Sequence, residues 1–296
     1  MNTYKFMIYM KFYHGLNYKN YLHSMSVIHE MNAVRAYSCA MNVYVIANQK
    51  GGVGKTSTAL NLAYALAMRG EPTLLIDLDP QGNLTQSFRY TAPEHLTMAA
   101  VLMDEIGLGK IVVPVDEEVP LFLAPGSKRL IQADRHLQQE PGADLTLREM
   151  IELIQGLSNV VIDTPPTPGN MLTRVALTAA NVLVVPVQPT SYGVEGLADF
   201  FGTVFQIQKR TNPGLRIGGI LFTRYSDGDN ANVRKDIALR LRNDDLLGKH
   251  VFDYTIPENV KVQEAQTLKG NLLAMYPESS AAAAYHILAE TLSSQQ

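Results

Sequence analysis

Residues 47–67 read ANQKGGVGKTSTALNLAYALA, and they set the architecture of the whole chain. The run follows an apolar segment at 43–47 and opens a helical pattern, which is the context that a phosphate-binding loop requires. Its glycines let the backbone turn tightly and bring N–H groups to phosphate oxygens, and the helix N-terminus adds partial positive charge. The sequence therefore predicts a nucleotide site made of Lys50, Gly51, Gly52, Val53, Gly54, Lys55, Thr56 and Ser57.

Two residues of the loop have separate chemical roles. The Lys55 ammonium is suited to the β- and γ-phosphates of a nucleotide, and the Thr56 hydroxyl to Mg²⁺. A carboxylate at the end of a neighbouring strand would complete the metal site, and Asp163 ends the apolar run Asn159–Asp163. ATP and Mg²⁺ are thus the predicted cofactors, with Thr56 and Asp163 on the metal.

A second pair of carboxylates, Asp77 and Asp79, follows the apolar run at 74–76. Carboxylates at the carboxyl ends of parallel strands face the ligand crevice of an open sheet. Asp77 has two open interpretations, either as a cap for the next turn or as part of the surroundings of the metal.

The loop departs from the usual GxxxxGK[ST] form, because Gln49 takes its first glycine position and Lys50 adds a second lysine. With the sequence KGGVGKT the chain resembles the ParA/MinD ATPases, which carry a deviant Walker A loop, and especially their ParA/Soj branch. The resemblance covers about 41–290, and further matching segments follow in order: LLIDLDPQGNLTQS (74–87), VVIDTPP (160–166), VVPVQPTSYGVEGL (184–197) and TIPENVKVQEA (255–265).

The resemblance implies roles that spacing alone leaves unassigned. Lys50 would reach the phosphates of a partner subunit in an ATP-dependent homodimer, and Asp79 would orient the attacking water. The catalytic residues are then Lys50, Lys55 and Asp79. Pro257 and Asn259 would lie beside the adenine ring, although a turn at the end of a strand explains the same two residues.

Apolar runs of strand length alternate with helical patterns along the chain after residue 42. This alternation predicts an α/β fold, namely a mostly parallel twisted sheet with helices on both faces, as in P-loop NTPases. The predicted strands are 43–48, 73–78, 120–124, 159–163, 181–187, 216–223 and 251–255. The predicted helices lie near 55–69, 127–139, 144–157, 170–179, 194–210, 231–242 and 279–292.

The first forty residues have a different composition from the rest. Residues 1–40 hold six Tyr, no Pro and no sustained helical or strand period, and Met41 then precedes a clean strand. We expect 1–40 to be a leader that is disordered or not native, and 41–296 to be a single ATPase domain. A docking or membrane-surface arm is the alternative for the leader.

Composition excludes several classes of protein. The net charge of -3 shows no general basic excess, so any nucleic-acid surface must be local. The single cysteine, Cys39, excludes an internal disulfide framework and a CxxC site. No Lys or Arg follows Lys269, which argues against a basic membrane-binding helix at that end. We expect a cytoplasmic protein without membrane attachment.

By resemblance, the chain is expected to be a slow Mg-dependent ATPase of ParA type. Its ATP-bound homodimer would bind DNA nonspecifically in plasmid or chromosome partitioning, and a ParB-like activator protein would stimulate hydrolysis and reset the cycle. The alternative is an ATP switch that positions or assembles a protein cargo without DNA partition. Retention of the ATP-bound dimer on DNA discriminates between the two.

The expected DNA face departs from the family pattern. Soj-like proteins commonly carry a basic residue in the loop after the strand at 216–223. They also have the sequence IPRN where this chain has IPEN at 256–259. Here Asp229 and Glu258 take the two basic positions. Both acids would repel DNA phosphates.

The helix at 231–242 supplies the remaining basic segment. Its pattern predicts Lys235 and Arg242 on a solvated side, opposite a buried stripe made of Val233, Ile237 and Leu241. We expect this helix to carry a relocated and weaker DNA surface, and an ordinary charged helix face is the alternative.

Overall fold

The computed structural model describes residues 41–167, 169–225 and 231–294. The predicted leader at 1–40 and the acidic Asp229 lie outside the described residues, and their interpretation stays a prediction.

A single eight-stranded sheet forms the centre of the described part of the chain. Its strands are β1 (Asn42–Ile46), β2 (Thr73–Asp77), β3 (Val113–Pro114), β4 (Leu121–Ala124), β5 (Asn159–Asp163), β6 (Val182–Val187), β7 (Arg216–Tyr225) and β8 (Val251–Pro257). They lie in the order β3-β4-β2-β5-β1-β6-β7-β8, and each neighbouring pair is parallel except β3 with β4. The predicted mostly parallel α/β fold is confirmed.

Helices cover both faces of this sheet. The α-helices are α1 (Lys55–Ala67), α2 (Asn83–Ser87), α3 (Met98–Leu102), α4 (Leu130–Leu137), α5 (Thr146–Glu152), α6 (Met171–Ala179), α7 (Ser191–Val194), α8 (Leu197–Arg210), α9 (Ala231–Arg242), α10 (Val260–Thr267), α11 (Leu272–Met275) and α12 (Ser280–Ser294). In β1, Tyr44 and Ile46 pack into a core shared with α1 and α12. Val43 and Val45 point to the opposite face, into a core shared with α6 and α8. Burial on both faces explains why the strands read as continuous apolar runs.

Most predicted elements agree with the structure to within a few residues, with clear exceptions. The helix predicted at 194–210 is α8, which starts at Leu197 because Gly196 just before it adopts a left-handed conformation with φ of 75°. The pattern missed the short elements α2, α3, α7, α10, α11 and β3, most of which are too brief to show a period. Within the described ranges, no helix is long and apolar enough to cross a membrane.

The strand register brings the predicted site residues to one edge of the sheet. Asp163 at the end of β5 pairs with Ile46 of β1 on one side and with Asp77 of β2 on the other. The phosphate-binding loop starts directly after β1, so it lies at the same carboxyl edge. Ligands of open parallel sheets bind at that edge.

Candidate active site

The loop between β1 and α1 has the backbone conformation that its glycines predict. Gly52 and Gly54 have φ of 76° and 89°, in the left-handed region that favours glycine. Two side chains from later parts of the chain, one in β7 and one directly after β6, support the loop from outside. Thr223 donates a hydrogen bond to the carbonyl of Val53 at 2.7 Å, and Gln188 donates to the carbonyl of Gly52 at 3.3 Å. The loop is therefore held in shape by tertiary contacts as well as by its own sequence.

The two lysines of the loop have different environments. Lys55 is buried, with 7% of its surface exposed, and its Nζ donates to the carbonyl of Lys50 at 3.0 Å. Burial lowers the pKa of Lys55, while the charges of Asp163 and Asp79 oppose that effect. Such a poorly hydrated ammonium interacts strongly with phosphate. Lys50 is only partly buried, and its Nζ lies 5.8 Å from the centroid of the Tyr192 ring.

The residues predicted to bind magnesium lie together. The Thr56 hydroxyl donates to Oδ2 of Asp163 at 2.7 Å. The other oxygen of that carboxylate, Oδ1, is buried and has no hydrogen-bond partner. Burial raises the pKa of Asp163 well above its usual range, and the nearby charge of Asp77 adds to the rise. A divalent cation would offset the cost of burying the charged carboxylate. One carboxylate with one hydroxyl is a set of protein ligands that suits Mg²⁺, because this ion keeps several bound waters. The residues present therefore fit the metal.

The carboxylate of Asp77 accepts hydrogen bonds from other groups of the protein. The donors are the Thr85 amide at 2.8 Å, the Thr85 hydroxyl at 2.6 Å and the Asp79 amide at 3.1 Å. Burial raises the pKa of Asp77 to about 6, and the hydrogen bonds from Thr85 limit the rise. Of the two interpretations left open by the sequence, these contacts favour the cap for the following turn.

Asp79 lies in that turn, two residues beyond Asp77. It is buried, with 7% of its surface exposed, and its Oδ1 accepts a hydrogen bond from the Gln81 amide at 2.9 Å. The Asp77 carboxylate fixes the Asp79 amide, so the backbone of the turn is held from the strand end. The position of Asp79 is thus defined, and its charge opposes the lowering of the Lys55 pKa that burial causes.

The two residues predicted to contact the base end β8 and begin α10. Pro257 pairs with Tyr225 of β7. Asn259 caps α10, because its Oδ1 accepts from the Lys261 amide at 2.8 Å, and its Nδ2 donates to the Ser280 hydroxyl at 3.3 Å. These contacts agree with the strand-exit turn that was the alternative, and a role beside adenine stays a prediction.

Several residues that support the site were not singled out from the sequence, although Thr85 and Gln188 lie in segments that match the family pattern. Gln266 of α10 donates to the hydroxyl of Ser57, which joins α10 to the first turn of α1. Like Gln188 and Thr223, it is far from its partner along the chain. Polar residues of these types are common on surfaces, and only the fold shows which ones face the loop.

The predicted arrangement of α9 is wrong in two respects. Val233 is 55% exposed, so it does not belong to the buried stripe, whereas Ala238 is buried. Arg242 lies only partly on the solvated side, with 31% of its side chain exposed. From the last turn of the helix its guanidinium donates to the carbonyl of Phe252 in β8 at 3.0 Å and lies 5.8 Å from the centre of the Phe222 ring in β7. Arg242 is therefore engaged mainly by contacts within the protein.

Glu258, which takes a basic position of the family pattern, is paired in this chain. Its carboxylate accepts a hydrogen bond from the guanidinium of Arg234 at 3.2 Å. The same Arg234 also donates to the carbonyl of Arg224 at 3.1 Å. The ion pair joins α9 to the segment after β8 and compensates part of the negative charge there.

Comparison with known proteins agrees with this site. A family model described as AAA domain matches residues 41–217. The chromosome-partitioning ATPase Soj of Thermus thermophilus is 39% identical over 245 residues, which cover 83% of this chain and 92% of that protein. The chromosome partitioning protein ParA of Caulobacter vibrioides is 35% identical over 263 residues, covering 86% of this chain and 95% of that protein.

Among solved structures, cobyrinic acid a,c-diamide synthase from Mycobacterium smegmatis with a bound ATP analogue and magnesium is similar at a TM-score of 0.72 and 30% identity. The match covers 85% of this chain and 93% of that one. The phosphate loop with two lysines, the hydrogen bond from Thr56 to the buried Asp163 and the relatives agree with one another. The chain belongs to the ParA/Soj family of chromosome-partitioning ATPases.

Proposed function

We propose that this protein binds Mg·ATP, dimerises in the ATP-bound state, binds DNA nonspecifically as a dimer and returns to the free state when ATP is hydrolysed. The observation that carries the proposal is that the two lysines of the loop have different environments. Lys55 is buried against the loop, and Lys50 lies beside an exposed ring at the surface. One cation can serve the subunit's own phosphates, and the second is placed where another subunit can receive it.

The residues of the site suit phosphoryl transfer to water. The loop amides and Lys55 would hold the β- and γ-phosphates, and Thr56 with Asp163 would hold the metal. When bound, Mg²⁺ supplies positive charge to the phosphate oxygens. Asp79, held in its turn by the Asp77 carboxylate, would orient the attacking water. Hydrolysis at such a site rests on the position and charge of these groups, and by resemblance to the family we expect slow turnover.

The relatives support the partners and the location that we propose. Two of them are named for chromosome partitioning, and a plasmid or a chromosome is the cargo that we propose here. A ParB-like activator protein would accelerate hydrolysis and thereby release the dimer from DNA. We place this cycle in the cytoplasm, on the nucleoid when the dimer is bound to DNA.

The proposed DNA contact is reduced to the exposed part of α9. Lys235 is exposed there, whereas the guanidinium of Arg242 lies over the Phe222 ring and donates to the carbonyl of Phe252, so Arg242 is no longer a candidate. Each lost phosphate contact lowers the salt slope of binding by about one unit, so a single lysine per subunit predicts a shallow salt dependence.

The decisive experiment is co-sedimentation of the protein with DNA in ATP, in ADP and without nucleotide. We expect retention only with ATP, and we expect it to be lost in Lys55→Ala, which removes the buried phosphate cation. Turnover like that of the wild type in Lys55→Ala would refute the assignment of the nucleotide site. An ATP-bound dimer that never binds DNA would favour the switch that positions a protein cargo.

A charge-reversal pair locates the DNA surface. Lys235→Glu should weaken ATP-dependent DNA binding and flatten its salt slope. The matched variant Lys110→Glu changes an exposed lysine in a different part of the fold and should leave both unchanged. If the two variants behave alike, the DNA surface does not include α9.

A further inference from the structure

The main chain of Lys50 is fixed on both sides. Its amide donates to Oδ1 of Asn48 at 3.0 Å, and its carbonyl accepts from the Lys55 ammonium at 3.0 Å. Asn48 is itself anchored, because its Nδ2 donates to the carbonyl of Pro186 at 2.7 Å. The direction in which the Lys50 side chain leaves the loop is therefore set, and only its flexible stem is left to be ordered.

The end of that stem meets an aromatic ring. The Lys50 ammonium lies 5.8 Å from the centroid of Tyr192, within the range of a cation–π contact. The ring is 75% exposed, so it stands at the surface of the subunit. Lys50 is only partly buried, so it is more accessible than Lys55, which is 7% exposed.

The segment that carries Tyr192 is held against the phosphate loop at two further points. Gln188 donates to the carbonyl of Gly52 at 3.3 Å. At the other end, a Cβ on Gly196 would lie 3.8 Å from the side-chain oxygen of Gln49, which shows how close the two segments run. The ring is thus placed over Lys50 by a braced segment.

We propose that Tyr192 is a positioning residue, whose ring holds the Lys50 ammonium at the subunit surface in the direction needed to enter the phosphate site of a second copy of this chain. The inference rests on the ATP-driven dimer proposed above. A lysine side chain has many rotamers. Holding it in one orientation before association reduces the conformational entropy that is lost when the dimer forms. The ring therefore favours the dimer without itself touching nucleotide.

A series of replacements at Tyr192 tests the ring by its chemistry. A cation–π contact at an exposed site corresponds to about a twofold to fivefold change in an equilibrium constant. Tyr192→Leu should weaken the dimer by that factor in sedimentation velocity with a non-hydrolysable ATP analogue. Tyr192→Phe keeps the aromatic face and should match the wild type, and Tyr192→Trp should be equal or tighter. Because the site is exposed, these apolar replacements should disturb the fold little.

A spectroscopic comparison tests the contact without any dimer. The chain has no tryptophan, so Tyr192→Trp introduces a single indole fluorophore. In nucleotide-free protein its emission should differ from that of Tyr192→Trp with Lys50→Gln, because only the first retains the ammonium beside the ring. Identical emission from the two proteins would overturn the contact.

The remaining outcomes are also decisive. A dimer of Tyr192→Leu as tight as that of the wild type, or tighter, would overturn the positioning role. A wild-type protein that stays monomeric in saturating ATP would refute the proposed dimer and the role of Tyr192 in it, even where the emission shows the contact. Failure of the inference and failure of the proposed function are thereby separated.

Discussion

Thr85→Val removes a buried hydroxyl that holds the end of β2 in place. The Thr85 hydroxyl donates to the Asp77 carboxylate at 2.6 Å and accepts from the Gly126 amide at 2.9 Å. Valine keeps the shape of the side chain, so the change isolates these two hydrogen bonds. The segment at Gly126 has no space to shift toward the strand, because even a Cβ there would lie 2.7 Å from the Asp77 carbonyl oxygen.

The size of the effect follows from the two groups left without partners. A hydrogen bond to a charged group contributes about 1.5–3 kcal/mol, and a buried amide without a partner costs about 1–3 kcal/mol. We expect Thr85→Val to lower the free energy of unfolding by about 3–5 kcal/mol. Thr91→Val changes an exposed threonine nearby in sequence and should cost much less.

The effect should depend on pH with a definite sign. Burial raises the pKa of Asp77 from 3.8 to about 6, so the folded protein binds this proton more tightly than the unfolded chain does. The contribution of Asp77 to the free energy of unfolding therefore falls as the pH rises from about 4 to about 6. Above about pH 6 the full cost of burying the charged carboxylate is present. The hydrogen bond from the Thr85 hydroxyl stabilises the carboxylate form of Asp77. Its loss should thus be more destabilising near pH 8 than near pH 5.

Urea unfolding of the wild type, Thr85→Val and Thr91→Val near pH 5 and near pH 8 measures both parts. A destabilisation by Thr85→Val that is larger near pH 5, or equal to that of Thr91→Val, would refute the reasoning. The first result would show that the hydroxyl does not act on the charged form of Asp77, and the second that it does not support the fold.

Three further changes separate the parts of the cycle. Asp79→Ala should keep ATP binding and dimerisation but lose hydrolysis, and finding only monomer at saturating ATP would assign Asp79 another role. Lys50→Ala should retain some nucleotide binding and lose the ATP-dependent dimer. Detection of that dimer by light scattering would contradict the prediction. Deletion of residues 1–40 should leave ATPase activity intact, because their sequence shows no pattern that a core would need and the first strand among the described residues begins at Asn42. An unfolded product would show the prediction to be wrong.

Local sequence determined the phosphate loop and the architecture around it. Gly52 and Gly54 take left-handed backbone conformations that favour glycine, and Lys55 and Thr56 follow at once in the first turn of α1. These residues are contiguous, so their geometry needs little from the rest of the chain. The apolar runs predicted the strands for a similar reason, since a strand buried on both faces needs apolar residues throughout. Parallel pairing then brought Asp163 to the loop.

Tertiary structure alone decided the roles that depend on distant partners. The spacing of Asp77 and Asp79 left the role of Asp77 open, and the contacts of Thr85 on α2 supported its place in the turn. The period of α9 misplaced Arg242, because a helix period does not show which neighbour a long side chain covers. The partner of a side chain depends on which strands and helices become neighbours in the fold. When those elements are far apart in the sequence, the local sequence pattern does not show the contact.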